Sequence, residues 1–115
     1  MPYKSAVASY RVISERLLCA IASQSTARAA YESARDTHED RRRSLILDGV
    51  PGVPERCSSD MREAALARAL EPQTSALRAA REDLRAADAG LEAAQVQERT
   101  EREALRCLQL MARAE

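Results

Sequence analysis

The chain has 115 residues, eighteen basic and eighteen acidic, and a formal net charge of zero. That length accommodates one domain at most, and the balance supplies no general electrostatic pull toward nucleic acid or a membrane surface. With no Trp, no Phe and only Tyr3, Tyr10 and Tyr31 aromatic, a deep core built on large rings is excluded.

Alanine supplies 23 residues and dominates the apolar fraction, a composition for long, thin helices. Three cysteines (Cys19, Cys57 and Cys107) stand far apart with no C-x-x-C, so a disulfide framework is not expected and a reducing compartment is. With one histidine, His38, no metal set can be assembled, and no metal, cofactor or catalytic residue is expected. The apolar run LLCAIA at 17–22 is interrupted too early for a signal peptide, and Arg16 stands where a lipoprotein box needs an apolar residue. No stretch approaches the roughly 20 apolar residues of a membrane span. The expectation is a soluble, cytoplasmic chain.

Helical periodicity begins almost at once. Tyr10, Leu17, Gln24, Tyr31, His38 and Leu45 recur every seven residues, with Ala6, Ile13, Ala20, Ala27, Ala34 and Arg41 as a companion row. Those rows predict a heptad seam on a first helix over about residues 4–47, with Gln24, His38 and Arg41 as polar knobs. The stretch DGVPGVPE at 48–55 then stops the pattern. Gly49 is expected as the C-cap, and Pro51 and Pro54 forbid continuation, so a turn is expected over 48–57. At SSDMRE, Asp60 followed by Glu63 suggests a capping box opening a second helix over about 60–114.

The second helix carries Leu70, Leu77, Leu84 and Leu91 in one heptad row, with Leu66 upstream on the same stripe. Ala80, Ala87 and Ala94 form its companion row, and Leu105 and Leu108 lie further on. Pro72 is the one obstacle, since proline inside a helix costs roughly 3 kcal/mol. Because the heptad phase runs through it unshifted, a kink or division is expected there, not a reversal. Two helices of about 45 and 54 residues, roughly 65 and 80 Å long, joined by a short Gly/Pro turn, give an all-α antiparallel two-helix coiled-coil hairpin. In it the Leu45 end meets residues 61–66, and Tyr10 lies near residues 95–105. The alternative for the leucine row, a parallel dimerising zipper, is disfavoured by its Ala and Gln companions and by the lack of a basic region upstream. A hairpin so thin buries little area per residue, so a third helix from a partner is expected in some state.

Three clusters invite function. His38, Glu39 and Asp40 could be drawn as an acid–base group, but adjacent helical residues diverge and no nucleophile or concave site accompanies them. Arg41, Arg42 and Arg43, with Arg35 about two turns upstream, form the densest positive patch. It reads either as a solvated helix end complementing the dipole or as a docking site for an acidic protein surface. Nucleic acid is less attractive, because Glu39 and Asp40 flank the run and no second basic arm exists. At the C-terminus EALRCLQLMARAE gathers Leu105, Cys107, Leu108, Leu110 and Met111 around more of the helix than one partner covers. Val7, Tyr10 and Ile13 could join them. That end reads as frayed or as partner-binding, with Leu110 and Met111 as the candidate contacts and Cys107 as a small apolar filler.

The first helix, YRVISERLLCAIASQSTARAAYESARDTHEDRRR, resembles the opening helix of the FliJ/SctO (YscO-like) secretion stalk proteins. The resemblance covers most of the chain as architecture and is carried by pattern, not by a diagnostic motif. The resemblance implies a cytoplasmic antiparallel hairpin of a bacterial type III secretion system or flagellum. The implied partners are the hexameric export ATPase ring, the export gate and substrate chaperones. This chain is short for the family, rich in Ala where the family is rich in Gln, and interrupted by Pro72, and no family contact residue maps onto it individually. The expected function is thus a non-enzymatic coiled-coil adaptor of the stalk kind. The alternatives are a small helical secretion chaperone, or a homodimer in which two hairpins form a four-helix bundle.

Overall fold

The computed structural model describes residues 2–54 and 56–114. Of the spans expected above, Met1, Glu55 and Glu115 lie outside the described residues. The fold is all-α, an antiparallel helical hairpin, with no strand among the described residues. Its elements are α1 (Pro2–Asp48), α2 (Ser59–Ala69) and α3 (Glu71–Ala114). The chain groups into two units: Met1–Thr26 with Arg85–Glu115, and Ala27–Leu84.

In the first unit the start of α1 runs antiparallel to the end of α3. Three side-chain pairs record the register. Gln109 Nε2 donates to the Tyr3 hydroxyl at 3.3 Å, the Tyr10 hydroxyl donates to Glu98 Oε1 at 2.9 Å, and Gln24 Nε2 donates to Asp88 Oδ1 at 2.8 Å. Tyr10 therefore stands within the 95–105 stretch to which the heptad rows assign it. Ile13, 7% exposed, is the buried centre of this unit.

The second unit holds the turn. α1 ends at Asp48 because Gly49 adopts φ +82°, a left-handed conformation open to glycine and awkward for any residue with a Cβ. Val50, Pro51, Gly52 and Val53 then form a hydrogen-bonded turn in which the Val53 N–H donates to the Val50 carbonyl at 3.2 Å. Proline at its second place and Gly52 at φ +81° in its third are the requirements of a type II turn.

The start of α2 differs from the expected capping box. The N-cap is Ser58, extended at φ −66° and ψ 155°, and its hydroxyl accepts from the Met61 N–H at 3.2 Å. Asp60 instead lies in the first turn, where its charge complements the positive end of the helix dipole. Serine wins because its short hydroxyl reaches the N–H three residues on, and Met61 in that third place has no side-chain acceptor to return the bond.

The second half of the hairpin is divided, and the division falls at Leu70, two residues before Pro72. Leu70, at φ −89° and ψ −3°, stays in the right-handed region and closes α2 as its C-cap. The Leu70 N–H still donates to the Leu66 carbonyl at 3.0 Å, and the Thr74 N–H to the Leu70 carbonyl at 2.8 Å. Pro72 is thereby the second residue of α3, in a first turn whose N–H groups have no helical acceptor to lose. Moving the break upstream avoids most of the cost of an interior proline. Leu45 and Leu70, 3% and 5% exposed, are the buried residues of this unit.

Candidate protein-docking surfaces

The seam comes first, since it determines what is left over. Leu45 and Leu70 are buried, and Tyr10, Leu17, Ala20, Ala27, Tyr31, Ala34, Leu66 and Leu77 are half-buried. So are Ala80, Leu84, Ala87, Leu91, Ala94, Leu105 and Leu108. Between these positions the helices present charged and small residues to water, with several large apolar ones among them. Gln24 and His38, the polar knobs of α1, are half-buried as well, whereas Arg41, in the same companion row, is exposed.

Four seam residues of α3 went unnamed in the heptad rows: Gln73, Thr74, Glu98 and Glu101, all half-buried. For three of them the signal was present. Glu98 and Glu101 lie one heptad beyond Leu91 and Ala94, and Gln73 one heptad before Ala80. Polarity hid them. Glu98 is tolerated because the Tyr10 hydroxyl donates to it and Arg102 stands 3.8 Å away. Gln73 is not so well served, for its amide oxygen is buried with no hydrogen-bond partner.

His38 faces α3, with Nε2 3.3 Å from the Thr74 hydroxyl oxygen, while Glu39 and Asp40 are exposed. The three residues are not brought together as an acid–base group. Among the described residues no three His, Cys, Asp or Glu side chains gather into a metal-holding set. Cys19 and Cys107 are exposed, Cys57 is half-buried, and all three are free thiols.

The C-terminal apolar cluster is narrower than its sequence suggested. The seam absorbs Leu105 and Leu108, buries Ile13 and half-buries Val7 and Tyr10. That leaves Cys107, Leu110 and Met111 exposed at the end of α3. Elsewhere in the first unit Val12, Leu18 and Ile21 of α1 and Val96 of α3 also stand exposed.

The basic patch lies in the second unit, and Arg35, Arg41, Arg42 and Arg43 are all exposed there. Arg43 stands 3.7 Å from Asp40, one turn away, a pair too open to water to hold much energy. Arg41 lines a groove of about 770 Å³ whose other wall is α2, with Met61, Ala65 and Arg68, and whose end is closed by Val50 and Pro51. A second cavity of about 410 Å³, lined by Leu45, Ile46, Val53 and Leu66, lies beside the same turn. Alanines at 64, 65 and 69 and a guanidinium in the seam row cannot fill the space between α1 and α2, so the groove stays open.

Among the described residues no helix is long and apolar enough to cross a membrane. No protein-family model matches the chain, and it has no match among curated proteins or solved structures.

Proposed function

We propose that this chain is a non-catalytic coiled-coil adaptor, a helical hairpin that holds exposed docking surfaces in a fixed register. The observation that carries the reading is how little the fold covers. The chain exposes 8765 Å², whereas a compact protein of its 12.7 kDa mass exposes roughly 6,200 Å². Leu18, Ile46, Leu47, Met61, Leu110 and Met111 are all more than half exposed. Ile46 and Leu47 beside the turn, and Leu110 and Met111 at the end of α3, are neighbouring pairs of such residues and are the candidate contacts for protein partners.

The specific form of the proposal is the stalk. A hairpin of this kind, seated asymmetrically in a hexameric export ATPase, biases closure of the nucleotide sites while its exposed regions meet the export gate or substrate chaperones. Support for it is the architectural resemblance of the first helix and the uncovered apolar surface. The test is the ATPase rate of the cognate ring with and without the protein. Stimulation is expected, and no change with a partner whose binding has been verified removes the stalk.

The second reading, a four-helix bundle of two copies, is favoured by Leu18 and Ile21, two exposed apolar residues one turn apart on α1. Sedimentation equilibrium separates the two. A monomer supports the stalk, and a stable dimer supports the bundle.

A further inference from the structure

The groove beside α2 is lined by two arginines, by apolar residues of α2 and by the turn 50–54. Arg41 occupies a place in the row that Ala6, Ile13, Ala20, Ala27 and Ala34 otherwise fill with small or apolar side chains. Its guanidinium is exposed at the groove, and Arg68 is exposed on the facing wall. Neither forms an ion pair among the described residues, and Asp60 is the one acidic residue along the same lining. Below them lie Met61, 60% exposed, and half-buried Val50 and Ala65.

We infer that this groove docks an acidic amphipathic helix from a partner protein. Arg41 and Arg68 receive carboxylates on its flanks, while an apolar row settles over Val50, Met61 and Ala65. Two arguments select that occupant. The first is charge: two exposed guanidiniums with no ion pair among the described residues outnumber the one carboxylate, Asp60, among the described lining residues, so the groove favours anionic side chains over cationic ones. The second is geometry. One wall is α2, whose backbone groups are already bonded, and the other is Arg41 with the turn 50–54, where Pro51 and Pro54 carry no N–H, so no edge is offered to an added strand and a helix laid along α2 is the element that fits. The small alanines of α2 allow that helix to come close.

This inference deepens the adaptor reading and rests on it for the existence of a partner. Its test needs neither a ring ATPase nor knowledge of the assembly state, so the two can fail separately. The probe is a fluorescein-labelled Leu/Glu amphipathic peptide of about 18 residues, five turns of helix. Its control has Lys at every Glu position. Fluorescence anisotropy against the full chain is expected to show saturable binding of the Glu peptide in the range of about 10–100 μM, weakening as salt is raised. The Lys peptide is expected to bind at least about tenfold more weakly.

In the R41Q/R68Q double variant, Glu-peptide affinity should fall about tenfold or more while helicity by circular dichroism stays unchanged, since both arginines are exposed. Met61→Glu should weaken the same peptide independently, through the floor. The proposal is overturned if the Glu peptide shows no saturable binding below about 1 mM, if both peptides bind alike, or if the double variant binds as the parent does.

Discussion

Gln73 occupies a seam position and leaves its amide oxygen buried without a partner. A buried, unmatched acceptor costs about 1–3 kcal/mol relative to one left in water. Gln73→Leu removes that cost at nearly constant volume and adds apolar burial between the helices. The variant should gain about 1 kcal/mol, seen as a rise of about 4 °C in the thermal midpoint. An unchanged or lower midpoint would mean that the glutamine is satisfied by water in solution. Tyr10 is the opposite case, because its hydroxyl answers the carboxylate of Glu98, itself a seam residue. Tyr10→Phe keeps the ring and deletes the bond, and should lower stability by about 1–2 kcal/mol in denaturant unfolding, since the bond has a charged acceptor.

Helix ends and the junction belong to the scale of the element. With Ser58 as the N-cap of α2, Ser58→Ala should cost about 1 kcal/mol, while Asp60→Ala, which loses a dipole contact alone, should cost a few tenths. Equal losses, or a larger loss at Asp60, would return the cap to the aspartate. The junction makes a second distinction. Pro72 stands in the first turn of α3, so replacing it by Ala frees no interior hydrogen bond. Pro72→Ala should change stability by less than about 1 kcal/mol, not by the roughly 3 kcal/mol recovered when proline leaves a helix interior. Denaturant unfolding of the pair measures the difference.

Across the whole molecule, Ile13, Leu45 and Leu70 are the buried apolar side chains among the described residues. An adaptor monomer should show a thermal midpoint that does not move when protein concentration changes by about a hundredfold. A midpoint that climbs with concentration would signal self-association and favour the four-helix bundle. Formal neutrality matters here as well, because eighteen positive and eighteen negative charges leave recognition to local groupings, not to the net field. Arg41 and Arg68 are such a grouping, brought together from helices 27 positions apart in the chain.

The heptad rows by themselves determined that the chain is helical, that it turns once, and which apolar residues line the seam. A seven-residue period of Leu, Tyr and Ala can be satisfied by little else, and Gly49, Pro51 and Pro54 leave one place for the reversal. Polarity concealed the rest of the row, since whether Gln73, Glu98 or Glu101 faces the partner helix depends on what stands opposite. The tertiary structure alone decided that Tyr10 answers Glu98 and that Ser58 rather than Asp60 caps α2. It also decided that the helix divides at Leu70, ahead of the proline. Those outcomes turn on distances of a few ångströms between groups far apart in sequence or within one turn of a helix end, which a period cannot encode. The groove is of the same kind: its residues are unremarkable along the chain, and only the packing of Arg41 and the turn 50–54 beside α2 brings two guanidiniums with no ion pair among the described residues to one apolar-lined site.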